Sequence, residues 1–138
     1  MLARMDKVSV TVGGNGQSFH QQIEARQHRL SADEPVAVGG EDTGPVPYEL
    51  LLSSLGACTS ITVTMYAKRK QWPLDGIRVE LTHEQVRGEG RADKITRTIH
   101  LSGPLDEEQR ARLLEIANKC PVHKTLSAGV DVTTALGA

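Results

Sequence analysis

The amino-acid sequence predicts an α+β fold, formed as one domain over residues 1–138. Short alternating segments separated by Gly and Pro fill the first third, a long helical stretch follows, and strand, helix and strand patterns complete the chain. This order keeps strands and helices apart along the sequence, unlike a regular βαβ repeat. A chain of 138 residues is of ordinary single-domain size and can bury a core without disulfide or metal staples.

The N-terminal third is predicted to consist of strands and turns. Strands are expected at Lys7–Val12, near Ser18–Glu24 and at Gln27–Ala32, with the turn signal Gly13-Gly14-Asn15-Gly16 between the first two. The first two strands are therefore expected to form a hairpin. The segment Asp33–Pro47 is rich in Pro and Gly, which excludes a helix running through it.

A long central helix is predicted from Pro47 to about Lys70. The stretch contains no proline after Pro47 and a single glycine, Gly56, and its apolar residues recur at helical spacing. Proline is well suited to the first turn of a helix, where its missing N–H has no helical partner. The tripeptide Gln71-Trp72-Pro73 is expected to end the helix.

The second half is predicted to contain a strand pair and a second helix. Alternating apolar residues indicate strands at Gly76–Val86 and Lys94–Leu101, joined by the polar connection RGEGRAD. Asp106 and Gln109 have capping-box spacing, so a helix is expected to begin there and to run to Lys119 or Cys120. Pro121 ends this helix. A short helical turn is predicted after it, through Leu126, and a last strand is predicted at Val130–Thr134.

Charge and hydropathy argue against nucleic acid and membrane as partners. Lys and Arg number 16 against 17 Asp and Glu, and no basic run occurs. The N-terminus has no apolar stretch of signal-peptide length, and no segment approaches the roughly 20 apolar residues that span a bilayer. A cytoplasmic location is therefore expected. In a reducing compartment two cysteines are more often catalytic, redox or metal-binding groups than a structural disulfide.

Cys58 is predicted to lie on a mostly apolar face of the central helix. The face includes Leu51, Leu55 and Met65 and, less centrally, Ser54, Thr62 and Arg69. One interpretation is a small core residue, which free cysteine often is. The other is a thiol at the floor of an apolar pocket. A reactive thiolate in the middle of a helix would need a nearby cation, because the helix dipole acts mainly within the first turn.

Cys120 is predicted to point inward at the end of the second helix, on one face with Leu113 and Ala117. The next helix could present free backbone N–H groups to its sulfur, which favours a thiol that can exchange. The two inward cysteines could meet, although core packing remains the alternative for both. Cys120 and His123 also have the spacing of half a zinc site, but no second pair completes it, so metal binding is the weaker interpretation.

The two cysteine segments resemble the OsmC/Ohr family, the osmotically inducible protein C and organic hydroperoxide resistance proteins. The resemblance rests on DEPVAVGGEDTGPVPYELLLSSLGACTSITVTMYAKRK and, about sixty residues after the first cysteine, on CPVHKTL. It is strongest to the OsmC-like branch with the pattern GP-x-P-Y-E-L-L-L-x-x-L-G-A-C. The resemblance implies an antiparallel sheet packed on a long central helix, in an intertwined homodimer with active sites at the interface.

The family's chemistry implies roles for both cysteines. Cys58 matches the peroxidatic cysteine, which becomes a sulfenic acid on attacking a peroxide, and Cys120 matches the resolving cysteine, which condenses with it to a disulfide. A dithiol reductant, a lipoylated protein in this family, would reopen the disulfide. The apolar neighbours of Cys58 suit organic hydroperoxides, fatty ones included. No metal and no bound cofactor is implied.

The sequence departs from better-known members at the groups that activate the thiol. Those members place a Glu ten residues before the cysteine, whereas this chain has Tyr48 there and Glu49 one residue later. Nine residues make two and a half turns, so on a straight helix Glu49 faces away from its own Cys58. Glu49 could orient an Arg, serve the other subunit or complement the helix N-terminus. Arg29 is the preferred activating cation and Arg26 the alternative.

A second class of function is compatible with the same residues. The apolar pocket could belong to a non-enzymatic module that holds a small hydrophobic ligand, with both cysteines as packing residues. The peroxidase predicts that peroxide consumes both thiols, whereas the binding module predicts that both survive.

Overall fold

The computed structural model describes residues 7–88, 90 and 92–138. The elements in chain order are strands β1 (Thr11–Gly13), β2 (Gln21–Ala25) and β3 (His28–Ala32), helix α1 (Pro47–Lys70), strands β4 (Gly76–Gln85) and β5 (Asp93–Ser102), and helices α2 (Glu107–Ala117) and α3 (Pro121–Ala128). The predicted α+β class is confirmed. Two parts of the chain lie outside the described residues. One is residues 1–6, which form part of the segment where no signal peptide was expected. The other is residues 89 and 91, which belong to the predicted β4–β5 connection.

The chain divides into two compact units after Ser53, and each has its own antiparallel sheet. In the first unit the strand order is β1-β2-β3, with Val12 opposite Ile23 and Ile23 opposite Leu30. β1 is shorter than the predicted strand at Lys7–Val12. Thr11 already pairs with Glu24, next to the last residue of β2, so the residues before Thr11 have almost no partner strand left.

Asp33 organises the loop between β3 and α1. Its buried carboxylate accepts hydrogen bonds from the Thr43 hydroxyl at 2.6 Å and from the backbone N–H groups of Glu34, Glu41 and Thr43 at 2.7, 3.3 and 3.1 Å. The Thr43 hydroxyl and these N–H groups lower the pKa of Asp33 to about 2 against the opposing effect of burial. One ionised side chain thus holds together a Pro- and Gly-rich segment whose regular structure is limited to the short 3-10 helix Val36–Val38.

Helix α1 begins at Pro47 and ends at Lys70, as predicted from the sequence. Gln71 has a left-handed backbone with φ of 58°, which turns the chain out of the helix. Contrary to the sequence-based expectation, α1 is long and apolar enough to cross a membrane, with a mean hydropathy of 1.4 over its most apolar window. Core helices pass the same test, and α1 is compatible with one because part of its surface is buried: Leu55, Gly56, Cys58, Thr59, Val63 and Ala67.

The second unit packs two helices and the C-terminal part of α1 with a β-hairpin. β4 and β5 pair along their whole length, with Val79 opposite Ile99 and Leu81 opposite Arg97. Inward side chains of the hairpin pack against the main core, whose buried residues are Val63, Ala67, Leu105, Leu113 and Ala117. The predicted capping box is confirmed: Asp106 accepts from the Gln109 N–H at 2.7 Å, and the Gln109 side chain accepts from the Asp106 N–H at 3.0 Å.

Two expectations for the C-terminal quarter were wrong. α2 ends at Ala117 instead of Lys119 or Cys120, because the chain tightens there into turns that lead to the N-terminus of α3. The predicted strand at Val130–Thr134 is absent, although its residues alternate in the manner of a strand. No strand among the described residues pairs with this segment, and its apolar side chains Val130 and Val132 are exposed. An isolated extended segment has no ladder of hydrogen bonds to hold it.

Candidate active site

Cys58 lies on the buried face of α1, one residue before the fully buried Thr59. The buried stripe runs through Leu55, Thr59 and Val63, so Met65 and Arg69 lie farther from the core than the sequence predicted. Gly56 lets the helix approach strand β4, since a Cβ atom at this position would lie 2.9 Å from Leu81 Cδ1. The thiol is therefore enclosed between α1 and the hairpin.

Cys120 is the N-cap residue of α3 and is fully buried. Its Sγ accepts a hydrogen bond from the His123 backbone N–H at 3.4 Å, and Pro121 occupies the first helical position. The first N–H groups of a helix have no partner within the helix, so a sulfur placed there can accept from them. The expectation that the next helix offers backbone donors to this sulfur is confirmed, although Cys120 begins α3 and does not end α2.

The two cysteines meet in a small apolar cluster. Both are free thiols that lie in one buried cluster with Leu55, close enough for Cys120 to raise the pKa of Cys58. The side chains that close the cluster are all aliphatic and partly buried: Leu81, Ile95, Val122 and Leu126. The inference that two inward cysteines on separate helices come together is thereby confirmed. Two free thiols in one cluster are the arrangement from which a disulfide can form, provided that the Cα atoms and Cβ directions meet disulfide geometry.

The environment of Cys58 favours the neutral thiol. Burial raises the pKa of Cys58, and the hydrogen bond and charge interaction with the Cys120 thiol act in the same direction. The Val122 backbone N–H and the Thr62 hydroxyl lower this pKa but do not outweigh burial. The five largest contributions to this pKa in the described chain include none from an Arg, Lys or His side chain. The cation that the sequence analysis required of a reactive thiolate is therefore not supplied by these interactions.

Arg97 is a site residue that the sequence analysis missed. From the middle of β5 its Nη1 donates to Thr59 Oγ1 at 2.8 Å, and its Nη2 donates to Asn118 Oδ1 at 2.8 Å. A signal was present, because Arg97 stands between Ile95 and Ile99 at a position that the strand alternation directs inward. A charged residue at such a position needs polar partners, and here it has two, the buried Thr59 and the exposed Asn118.

His123 is half-buried at the first turn of α3. Burial lowers the pKa of its imidazole, and the positive charge of Arg97 lowers it further. Both influences favour the neutral ring. Within the described part of the chain, no group of three or more His, Cys, Asp or Glu side chains is arranged to hold a metal ion.

The other predicted site residues, Glu49 and Arg29, lie in the first unit. Glu49 Oε1 accepts from the Val46 backbone N–H at 2.8 Å, so the side chain caps the N-terminus of α1. Arg29 lies on β3, largely exposed, and its Nη2 is 3.9 Å from Glu24 Oε1 on the neighbouring strand. Arg26, the alternative, forms the β2–β3 turn with φ of 55°. Their part in activating the thiol stays a prediction.

Comparison with known proteins places this site in a family context. Residues 39–135 match the family model described as OsmC-like protein. No curated protein sequence matches the chain. An OsmC-like protein from Mycoplasma pneumoniae has a similar structure, with a TM-score of 0.74, 21% identity and 89% of each chain covered.

Two further solved structures share the fold. An organic hydroperoxide resistance protein OsmC from Legionella pneumophila is 18% identical, with a TM-score of 0.67 and coverage of 94% of this chain and 95% of its own. The organic hydroperoxide resistance protein OhrB of Bacillus subtilis is 23% identical, with a TM-score of 0.62 and coverage of 91% and 93%. At these identities the likeness establishes the fold and leaves the activity open.

Proposed function

Because the chain belongs to the OsmC-like protein family, we propose that it is a thiol-dependent peroxidase that reduces organic hydroperoxides in defence against oxidative stress. The observation that carries the proposal is the contact between two buried free thiols at the N-terminus of α3. Structural cysteines of a reduced protein have no need to meet. A sulfur pair that receives backbone hydrogen bonds from Val122 and His123 suits reversible oxidation.

The proposed reaction has three balanced steps. The Cys58 thiol first loses its proton, and the thiolate attacks the terminal peroxide oxygen. The O–O bond breaks, Cys58 becomes a sulfenic acid, and the departing alkoxide takes up one proton and leaves as the alcohol. The Cys120 thiol then attacks the Cys58 sulfur, which forms the disulfide and releases water. A dithiol reductant donates two electrons and two protons to restore both thiols, and becomes a disulfide itself. None of these steps uses a metal or a bound cofactor.

The surroundings of the pair support an apolar substrate. Leu55, Leu81 and Ile95 line the cluster together with Val122 and Leu126, so an alkyl chain is accommodated better than the small polar hydrogen peroxide. We assign organic hydroperoxides, fatty ones included, as substrates and a lipoylated protein as the dithiol reductant. The organic hydroperoxide resistance proteins of similar fold from Legionella pneumophila and Bacillus subtilis support the choice of substrate.

Activation of Cys58 is assigned to a cation, because burial and the neighbouring Cys120 thiol together hold its pKa above the ordinary value. Arg29 is proposed for this role, with Arg26 as the alternative and Glu49 as the carboxylate that orients it. The active form is proposed to be an intertwined homodimer of single-domain subunits in the cytoplasm. Loss of peroxide consumption in Arg29→Gln, with Arg26→Gln as the matched variant, would identify the cation.

The central test separates the roles of the two cysteines. Cumene hydroperoxide is expected to convert two free thiols of the wild-type protein into one intramolecular disulfide, as measured by thiol titration and intact mass. Cys58→Ser is expected to abolish peroxide consumption. Cys120→Ser is expected to accumulate a Cys58 sulfenic acid that a dimedone probe captures. Unchanged consumption by Cys58→Ser would reject the peroxidase.

A non-enzymatic binding module is the second candidate, and the raised pKa of Cys58 favours it. In that case the aliphatic cluster holds a small hydrophobic ligand and the thiols pack against it. Both thiols would then remain reduced after exposure to the hydroperoxide, and a fluorescent fatty-acid probe would bind equally well to the wild-type protein and to Cys58→Ser.

A further inference from the structure

Arg97 links the two chain segments that carry the cysteines. Its Nη1 reaches Thr59, the residue after Cys58 on α1, and its Nη2 reaches Asn118, two residues before Cys120. Both distances are 2.8 Å, the short range of hydrogen bonds in which the donor is charged. One planar guanidinium thus connects helix α1 with the turn that leads into α3.

The Thr59 end of this link is firmly held. The Thr59 hydroxyl is fully buried and donates to the Leu55 carbonyl at 2.7 Å, so its oxygen is free to accept from Arg97. The Asn118 end is exposed, yet Asn118 lies at the C-terminus of α2, whose last turn is buried through Ile116 and Ala117. Neither segment can move away without breaking a charge-assisted hydrogen bond.

The hydrogen bonds of Arg97 act on the geometry of the cysteine pair. Its guanidinium is not among the five largest influences on the pKa of Cys58, whereas its charge does lower the pKa of His123 beside Cys120. Among the residues that the structure describes, Arg97 also forms no ion pair with a carboxylate, so its two hydrogen bonds are its main polar anchors.

We infer that Arg97 is a positioning residue that holds Cys120 against Cys58 for the condensation step. This inference rests on the proposed function. When the Cys120 thiol attacks the Cys58 sulfenic acid, an S–S bond forms, an S–O bond breaks and water leaves. The rate of such an intramolecular step depends strongly on how closely the two sulfurs are held, and a displacement of about 1 Å costs on the order of a hundredfold.

The first test measures the cysteine pair without any peroxide. Wild-type protein, Arg97→Gln and Asn118→Ala are equilibrated with mixtures of oxidised and reduced dithiothreitol, and the fraction of Cys58–Cys120 disulfide is read by mass. Both variants are expected to form the disulfide with an equilibrium constant at least about tenfold lower, because the sulfurs are less well aligned. Arg78→Gln, an exposed arginine of β4 paired with Glu80, is the matched control and is expected to match the wild type.

The second test follows the condensation itself. After one equivalent of cumene hydroperoxide, the Cys58 sulfenic acid is expected to persist longer in Arg97→Gln than in the wild type, while the rate at which it forms changes little. If no sulfenic acid forms in any protein, the proposed peroxidase fails, and the dithiothreitol equilibrium still decides the role of Arg97. Unchanged equilibrium constants in Arg97→Gln and Asn118→Ala would overturn the inference.

A conservative variant separates positioning from charge. Arg97→Lys keeps the charge near His123, but one ammonium group cannot bridge two acceptors as the planar fork does. The disulfide equilibrium is therefore expected to remain impaired while the pKa of His123, followed by NMR, stays lowered. Full recovery of the equilibrium by lysine would contradict a two-armed link. Should Arg97→Gln fail to fold in thermal unfolding, Asn118→Ala decides, since its side chain is exposed.

Discussion

Interactions of opposite effect act on the pKa of Cys58. Burial and Cys120 favour the neutral form, while the Val122 N–H and the Thr62 hydroxyl favour the thiolate. Because the thiolate is the reacting species, alkylation of Cys58 is expected to accelerate as pH rises through and above the ordinary range of cysteine, and to be slower at pH 7 than for a free cysteine. Peptide mass analysis after timed exposure to iodoacetamide measures both.

Thr62→Val tests the smaller of these influences. Removing the hydroxyl is expected to raise the pKa of Cys58 further and to slow its alkylation at pH 7. The same change is expected to stabilise the protein by about 1 kcal/mol, because Thr62 Oγ1 is buried and has no hydrogen bond of normal geometry within the described chain. Thr64→Val, on another face of α1, is the control. Faster alkylation of Cys58 in Thr62→Val would contradict the assignment.

Single residues were predicted unevenly from the sequence, and Arg97 and Cys120 illustrate why. Helical periodicity and the proline after Cys120 were enough to place its sulfur near free backbone donors. The role of Arg97 was not predicted, although the strand alternation places it on the inward face. A strand pattern predicts the face that a side chain occupies, but it does not predict the hydrogen-bond partners on that face. Glu49 shows the same limit. Its hydrogen bond with the nearby Val46 N–H can be predicted from local spacing, but a partner in a distant part of the fold cannot.

Helix α2 contributes to the stability of the main core through the buried side chain of Leu113. Leu113 is 1% exposed in the main core, while its neighbour Leu114 is 56% exposed. Leu113→Ala is expected to lower the free energy of unfolding by about 2–5 kcal/mol, because it leaves a cavity between α1 and α2. Leu114→Ala, with the same change in side chain, is expected to lie within about 0.5 kcal/mol of the wild type. Urea denaturation compares the two, and equal losses would refute this core assignment.

Elements with local signals were predicted well, and elements that depend on a distant partner were not. Pro47 and the sequence after Lys70 mark both ends of α1, and Asp106 with Gln109 marks the start of α2. The predicted strand at Val130–Thr134 has the right alternation but no neighbouring strand in the described chain. A strand requires a partner, and alternation within one segment carries no information about whether that partner exists.

At the scale of the whole molecule, the proposed homodimer makes a prediction about α1. Ile61 is 46% exposed on this helix, on the C-terminal side of Cys58. A second copy of the chain is expected to cover such apolar positions, so Ile61→Glu should shift the mass measured by light scattering from dimer to monomer. Thr96→Glu adds the same charge at an exposed position of β5 and serves as the control. A monomeric wild-type protein at all concentrations would contradict the dimer.

The backbone hydrogen bonds at the start of α3 make this helix a reporter of oxidation. The N–H groups of Val122 and His123 donate to the sulfurs of Cys58 and Cys120, so their acceptors change character whenever the two thiols become a disulfide. The remaining amides of α3 donate to carbonyl oxygens that oxidation leaves intact. In a nitrogen-proton correlation spectrum, the two amide resonances of Val122 and His123 should therefore move with the redox potential of the solution and report whether the cysteine pair is reduced or oxidised.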